Sequence, residues 1–198
     1  MKEKTHEVNM KEKIKKAAFM LMAEKGLKDI SMREIADACG VTKPVLYYYF
    51  KDKEDLCYSL IEESSILNNE KLKRFADSGA SLEEILAFIF SKYIIDIKRK
   101  EVLSFVVHVS SYLLSNPELE KRFVSMRKAN FAIISDMLEK ECKAGRLGKE
   151  GKDLAMHLIF ANIAHLVLHS HGGEVKFWPS YPKDMAKAVL TAINYKEK

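Results

Sequence analysis

The feature that most constrains the fold is the placement of helix breakers, which are few and fall between apolar stripes of helical spacing. The 198 residues contain only 8 Gly and 4 Pro, and such a chain favours long helices over many short strands. Hydrophobic residues make up 47% of the sequence, which excludes a disordered chain. Because there is also no internal repeat and no sustained strand alternation, the sequence predicts an all-α protein.

Two helices are predicted near the N-terminus. The first carries apolar residues at the spacing of a buried helix face: Ile14, Ala17, Ala18, Leu21 and Met22. Gly26 ends this helix as a C-terminal cap. Ser31 starts the second helix, and Glu34, three residues further on, completes a capping box. Gly40 ends the second helix after fewer than three turns.

A third short helix follows after a tight turn over residues 39–42. Thr42 is a suitable N-cap, Pro44 is tolerated in the first turn, and Phe50 marks the end of the helix. Three short helices with a glycine in the turn are typical of a helix-turn-helix motif. They are equally compatible with a generic small helical bundle, so the pattern alone leaves both interpretations open.

The remainder of the chain is also predicted to be helical. A capping box begins at Ser81, and Asn116 is an N-cap followed by Pro117 at the first helical position. Residues 154–169 are apolar nearly all round, which implies burial on more than one side. Pro182 opens a last helix.

Positive charge is concentrated near the N-terminus. The formal net charge is +5, from 33 Lys and Arg against 28 Asp and Glu. Residues 1–53 hold 12 of the basic and 8 of the acidic residues. A flexible tail is predicted over residues 1–10, and a lysine-rich disordered stretch before Lys16 is one interpretation of the excess. The other interpretation places the charge beside the three short helices, where a DNA backbone would need it.

Two segments resemble a known DNA-binding signature. Residues 14–26 and 31–56 resemble the first helix and the helix-turn-helix of the TetR family of transcriptional regulators, and the spacing fits without a gap through Ile35-Ala36, Gly40-Val41, Leu46-Tyr47, Phe50 and Leu56. The resemblance implies an N-terminal three-helix DNA-binding domain over residues 1–56. It also implies a larger helical effector-binding and dimerisation domain over residues 57–198.

The predicted DNA contacts lie at the starts of the second and third helices. In a helix-turn-helix, the second helix of the motif enters the major groove with its N-terminal residues at base edges, and those residues here are Thr42, Lys43, Pro44 and Val45. Lys43 is the best donor to a guanine edge, whereas Pro44 and Val45 suit a thymine methyl group. Ser31 and Met32 offer backbone amides to a phosphate.

Two tyrosines and two basic residues complete the predicted DNA contacts. Tyr47 and Tyr48 carry a rigid ring and a hydroxyl group, which suit a phosphate contact, although an aromatic run is more often part of a core. The resemblance favours the contact, because the family's phosphate-binding tyrosine falls on Tyr47 and its neighbour on Tyr48. The resemblance also implies a base or phosphate contact for Arg33 and a phosphate contact for Lys53.

The long helical part of the chain would serve dimerisation and effector binding. A dimer places two recognition helices about 34 to 36 Å apart on a palindromic operator. The all-round apolarity of residues 154–169 fits either a dimer interface shared with the last helix or a buried helix in a monomer, and the resemblance favours the homodimer. The predicted interface residues are Leu154, Leu158, Ala161, Leu168, Met185 and Val189.

An apolar cavity with a few polar groups is the typical small-molecule site. The predicted effector contacts are Ile89, Tyr93, Val109, Tyr112, Met126, Asn130 and His165. Asn130 and His165 lie among apolar neighbours and need a partner, either a ligand or a backbone carbonyl or water. We expect no cofactor and an unidentified, largely apolar effector.

A metal site is a weaker interpretation of the histidines near residue 169. His165 and His169 are spaced to share one helix face, and His171 and Cys142 would extend the set. Histidines close to a helix end are commonly solvated, and no further ligand lies at matched spacing. We therefore predict no metal site.

Other function classes find little support. The sequence has no Gly-rich phosphate loop, nucleophile elbow or paired metal-ligand motif, so we predict no enzyme. Polar residues interrupt every long apolar stretch, so no membrane span is expected, and three widely spaced cysteines fit reduced thiols in the cytoplasm.

The sequence predicts a homodimeric repressor that a small-molecule effector releases from double-stranded DNA. The alternative is a helix-turn-helix regulator or a helical scaffold without an effector.

Overall fold

The computed structural model describes residues 2–169 and 177–196, with side chains for residues 9–96, 98–166 and 177–196. These ranges contain α-helices and no strand, so the predicted all-α fold class is confirmed. The helices are α1 (Lys2–Lys25), α2 (Met32–Cys39), α3 (Lys43–Tyr49), α4 (Lys53–Asp77), α5 (Leu82–Ile97), α6 (Lys100–Leu113), α7 (Pro117–Lys143), α8 (Lys149–His169) and α9 (Tyr181–Ala192).

The first of two compact units contains α1, α2, α3, the start of α4, α6 and the start of α7. It comprises the residues up to Ser64 together with Lys100–Val124. Within it, α1 packs against α2 and α6, and α2 packs against α3. Ile14, Leu46 and Leu56 are completely buried, and each such side chain stabilises the fold by about 1.5–3 kcal/mol.

Helix α2 is fixed at both ends by its own sequence. The Glu34 amide donates to the Ser31 hydroxyl at 3.2 Å, and the Ser31 amide donates to the Glu34 carboxylate at 2.9 Å. Gly40 follows α2 in the left-handed region at φ +64°, which costs glycine little. The predicted capping box and glycine stop are confirmed, and the position of the turn before α3 follows from them.

Helix α1 differs from the prediction at its N-terminus. Instead of a flexible tail over residues 1–10, α1 begins at Lys2. No Gly or Pro precedes Gly26, and Lys and Glu, which dominate this segment, are good helix formers. Lys15 is 7% exposed and pairs with Glu12 at 3.3 Å and with Glu63 of α4. The basic N-terminal segment therefore extends the helix.

Helix α6 holds the C-terminal turn of α1 through a polar seam. The Ser104 hydroxyl donates to the Ala23 carbonyl at 2.6 Å, and His108 Nδ1 lies 3.2 Å from the Met22 carbonyl. The Met22 carbonyl also accepts from the Gly26 amide at 3.0 Å. The last carbonyls of a helix have no partner within it, so Ser104 supplies a donor to the Ala23 carbonyl near the end of α1. The predicted division at residue 56 concerns function and remains a prediction. By packing, α6 belongs with the N-terminal helices.

The second unit comprises Ser65–Arg99 together with the residues from Ser125 onward. Within it, α5 packs against α8 and α9. Its core includes the completely buried side chains of Phe90, Leu138 and Ile159. The predicted capping box at Ser81 is present, with the Glu84 amide donating to the Ser81 hydroxyl at 3.2 Å. These helices enclose the cavity described below.

Candidate functional site

The exposed face of α3 is built by a short helix with one buried anchor. Leu46 is 0% exposed and fixes α3 to the first unit. Around it, Thr42, Lys43, Pro44, Val45, Tyr47 and Tyr48 are exposed. Thr42 occupies the N-cap position, but its hydroxyl makes no capping hydrogen bond. The start of α3 therefore presents a hydroxyl, an ammonium and apolar surface to the solvent, as base contacts require.

Tyr47 and Tyr48 are surface residues of α3. They are 52% and 72% exposed, which excludes the interpretation that they belong to the core. The ring of Tyr48 lies edge-on to that of Tyr49, with centroids 5.0 Å apart. Tyr47 lies one turn after Lys43 on the same face of α3, and the hydroxyl-bearing rings of Tyr47 and Tyr48 are both accessible from the solvent; their phosphate contact stays a prediction.

The start of α2 offers less than the sequence predicted. The Ser31 amide and hydroxyl are both engaged by Glu34, so they are already used within the capping box. Met32 is only 9% exposed, because its side chain packs into the core, and a contact there can involve only its backbone amide. The Arg33 side chain is 75% exposed and lies 3.8 Å from Asp37, so it can still reach a nucleic acid.

Lys53, for which a phosphate contact is predicted, has hydrogen-bond partners within the chain. Its ammonium donates to the carbonyls of Lys28 and Ile30, at 3.0 Å each, in the turn between α1 and α2. It also lies 5.9 Å from the ring centroid of Tyr112. Two of the three N–H donors are thus used to hold the turn. A phosphate would have to compete with these carbonyls, so Lys53 is first a structural residue.

A cavity of about 340 Å³ lies within the second unit. Four helices line it, each with residues at helical spacing. The lining residues are Ser65, Asn68, Asn69 and Leu72 of α4; Phe88, Ile89, Lys92, Tyr93 and Asp96 of α5; Arg127, Asn130, Phe131 and Ile134 of α7; and Phe160, Ile163 and Ala164 of α8. An apolar cavity with a few convergent polar groups is the usual form of a small-molecule site.

Two of the predicted effector residues lie in the first unit. Val109 is 3% exposed in the core of that unit. Tyr112 donates its hydroxyl to Glu54 at 2.6 Å, and this bond raises the pKa of Tyr112. Neither residue lines the cavity of the second unit, because α6 packs with the N-terminal helices, so the structure gives no support to their predicted effector contact.

Two further predicted residues miss the cavity by one helical position. Met126 precedes the lining residue Arg127, and His165 follows the lining residue Ala164. Neither Met126 nor His165 is itself among the lining residues, so their contact with an effector stays a prediction. Ile89, Tyr93 and Asn130 line the cavity as the sequence predicted.

The polar groups of the cavity form two small networks. Asn130 Oδ1 accepts hydrogen bonds from the Ser65 hydroxyl at 2.7 Å and from Asn69 Nδ2 at 2.6 Å. Lys92 Nζ contacts both Asp96 carboxylate oxygens, at 2.5 and 2.6 Å. Desolvation, and to a lesser degree the charge of Asp96, raise the pKa of Tyr93. The polar cavity residues of α4 were missed by sequence reasoning.

The predicted dimer residues divide between surface and core. Leu154 is 43% exposed, Ala161 is exposed, and Leu158 is half-buried. The side chain of Leu168 lies outside the described residues. Val189 is 3% exposed and Met185 packs against the core of the second unit. We therefore correct the assignment of Val189, whose side chain is used within its own chain.

Two other features bear on the predicted partners. Among the described side chains, no group of three or more His, Cys, Asp or Glu residues is placed to hold a metal ion. His169 and His171 lie outside those side chains. None of the described helices is both long and apolar enough to cross a bilayer.

The chain thus contains a capped pair of short helices with an exposed second helix in one unit and a helical cavity in the other, a combination typical of ligand-responsive DNA-binding regulators. The model of the family described as bacterial regulatory proteins, tetR family, matches residues 14–59. A fatty acid metabolism regulator protein of Bacillus subtilis (strain 168) is 30% identical over 153 residues, covering 76% of this chain and 78% of that protein.

Solved structures agree with this fold. The transcriptional regulator FadR from Bacillus subtilis, in complex with stearoyl-CoA, superposes with a TM-score of 0.76 at 24% identity, covering 91% of this chain and 96% of that chain. The flavonoid-responsive regulator FrrA gives a TM-score of 0.68 at 26% identity, covering 93% and 95%. The chain belongs to the TetR family: it is a DNA-binding transcriptional regulator and not an enzyme.

Proposed function

We propose that this regulator is a homodimeric repressor that binds a palindromic operator and is released by a small-molecule effector. The observation that carries the proposal is the cavity of about 340 Å³ in the helical unit. A regulator without an effector has no need to keep such a space open, because an unfilled cavity costs stability. An effector that binds only the conformer in which the two recognition helices are not spaced to fit the operator would raise the population of that conformer and so release the protein from DNA.

The dimer is supported by the surface of α8 and α9. Leu154, Leu158 and Ala161 follow one another at the spacing of one helix face, with Leu154 and Ala161 exposed. On α9, the exposed Ala188 and Ala192 lie one turn apart and replace the buried Val189 as candidates. Small and apolar residues on two packed helices allow a close approach to the same helices of a second copy.

For the effector we propose a fatty acyl compound. The Bacillus subtilis relative is a fatty acid metabolism regulator, and FadR was solved with stearoyl-CoA. The lining of this cavity contributes Leu72, Ile89, Phe131 and Ile134, which suit an alkyl chain. FrrA is flavonoid-responsive, so the fold by itself does not dictate a ligand class, and the lining residues must supply the argument.

The test uses the full chain. DNA bound by the purified protein is selected from the sheared genome that encodes it, and affinity for the selected site is measured with and without stearoyl-CoA. We expect a particle of twice the 22.7 kDa chain mass, a palindromic site, and weaker DNA binding with the ligand. A monomer would refute the dimer, and unchanged DNA affinity with every acyl compound would favour the regulator without an effector.

A cavity variant makes the test specific. In Ala164→Trp the added ring occupies the cavity, and because Ala164 is an exposed lining residue the substitution spares the core. We expect operator binding to persist and the response to stearoyl-CoA to disappear. Ala129→Trp, on an exposed position of α7 outside the cavity lining, is the control and keeps the response.

A further inference from the structure

The amide group of Asn130 has a defined orientation. Its Oδ1 accepts from both the Ser65 hydroxyl and Asn69 Nδ2, which occupies the two lone pairs of that oxygen. Both donors belong to α4. Because the amide is planar, its NH₂ group points away from Oδ1, and Asn130 lines the cavity. The part of Asn130 left for a ligand is therefore a hydrogen-bond donor.

Arg127 supplies donors of the same kind. It precedes Asn130 by three residues on α7, so the two side chains share one face of the helix, and both line the cavity. Among the described residues, no carboxylate forms an ion pair with the Arg127 guanidinium. A guanidinium carries five N–H donors and no acceptor. This part of the wall thus offers donors only.

The remaining charges of the cavity do not oppose an anion. Asp96 is the only carboxylate among the lining residues, and Lys92 contacts both of its oxygens. The charged lining residues are two cations and one anion, a net charge of +1 at neutral pH. The other walls combine aliphatic and aromatic side chains with the Lys92–Asp96 ion pair and the uncharged polar groups of Ser65, Asn68 and Asn69. The Arg127 guanidinium and the Asn130 NH₂ group are therefore a donor-rich, cationic region in a largely apolar cavity.

We propose that Arg127 and the NH₂ group of Asn130 bind an anionic oxygen group carried by an apolar chain, and that this pair selects the effector. The inference rests on the proposed function, because it concerns the effector of the same cavity. A planar guanidinium binds a carboxylate through two parallel hydrogen bonds. The oxygen can come from the carboxylate of a free fatty acid or from the oxygens of an acyl-CoA, and the probes below distinguish the two.

The test compares probes with one chain and different heads. Binding of dodecanoate, dodecanol and dodecylamine is measured by calorimetry below their aggregation concentrations, with dodecanoyl-CoA as a fourth probe. A hydrogen bond to a charged group gives a preference of about tenfold or more, so dodecanoate should bind at least about tenfold more tightly than dodecanol. Dodecylamine should bind most weakly. Equal binding of the three heads would overturn the proposal.

Two variants assign the preference to the donor pair. Arg127→Met removes the guanidinium, and Lys128→Met is its control, because Lys128 is exposed and does not line the cavity. Asn130→Asp keeps the oxygen that Ser65 and Asn69 contact and replaces the NH₂ group by a second oxygen. We expect both cavity variants to lose the preference for dodecanoate, with unchanged melting temperatures reporting intact folds.

The control for the added negative charge is Ala129→Asp, on an exposed position of α7. It should keep the preference. If Arg127→Met and Asn130→Asp both bind dodecanoate like the parent, the pair does not bind the head group. If dodecanoyl-CoA binds more tightly than dodecanoate and loses affinity in both variants, the oxygen group that Arg127 and Asn130 bind is that of an acyl-CoA, and the proposal stands. If dodecanoyl-CoA binds more tightly and the variants do not change its affinity, the proposal fails.

The proposal and the proposed function fail in different ways. If dodecanol releases operator DNA as well as dodecanoate does, effector control stands and the selection by Arg127 and Asn130 is refuted. If the probes bind with the expected preference but none changes DNA affinity, the selection stands and effector control is refuted. If no probe binds, the cavity does not take an anionic oxygen on an apolar chain, and the proposal is refuted.

Discussion

The Tyr47 hydroxyl offers the sharpest test of the predicted DNA surface. Tyr47 is 52% exposed on α3, so removing its hydroxyl leaves the core untouched, and the stability of Tyr47→Phe should stay within about 0.5 kcal/mol. A hydrogen bond to a charged phosphate contributes about 1.5 kcal/mol at the low end. A homodimer loses it twice, about 3 kcal/mol, which corresponds to a roughly 150-fold loss of affinity.

The assay is fluorescence anisotropy of a labelled operator duplex at fixed salt, paired with urea unfolding. Tyr195→Phe is the matched control: its hydroxyl donates to Glu141 at 2.7 Å in the second unit. We expect Tyr195→Phe to lower the free energy of unfolding and leave DNA affinity unchanged, the reverse of Tyr47→Phe. If Tyr47→Phe bound DNA within twofold of the parent, the phosphate contact would be refuted.

Three further predictions concern the first unit. Lys53→Ala should lower the free energy of unfolding by about 1.5 kcal/mol, because its ammonium holds two carbonyls; lost DNA affinity with unchanged urea unfolding would contradict this. Gly26→Ala should destabilise by about 1–2 kcal/mol, since φ is +84° and a Cβ would lie 3.0 Å from His108 Nδ1; an unchanged thermal midpoint would contradict it. A hydrogen bond from Lys25 holds the pKa of Glu34 below its usual 4.5. The ionised Glu34 therefore stabilises the folded state above pH 4.5, and this contribution is lost as the pH falls through its lowered pKa. In Glu34→Gln, the free energy of unfolding, measured by urea unfolding, should fall less steeply on acidification.

Local signals predicted the N-terminal helices well. The capping box of Ser31 with Glu34 and the glycine at position 40 act within a few residues of one another, so the sequence itself determines where α2 begins and ends. The same holds for Ser81 with Glu84 at α5. A cap needs no distant partner, and for this reason it can be recognised without knowing the fold.

The cavity was predicted only in part, because its composition depends on which helices meet. Tyr112 lies on an apolar stripe that predicts a buried face but not the helix packed against it, and the structure assigns α6 to the first unit. Ser65, Asn69 and Leu72 line the cavity from α4 at helical spacing. Sequence reasoning missed them because polar residues on a helix usually face the solvent. The available signal was that Ser65 and Asn69 are uncharged and share a helix face with the apolar Leu72, which indicates a partly buried polar face.

The central claim is that occupancy of the cavity and binding of DNA are coupled in one homodimer. Coupling between two sites is reciprocal, so it can be measured from the ligand side. The measurement is the affinity of stearoyl-CoA for the protein alone and for the protein saturated with its operator duplex. The account predicts weaker ligand binding in the DNA complex, by about 5- to 150-fold. Equal ligand affinity in the two states would contradict it.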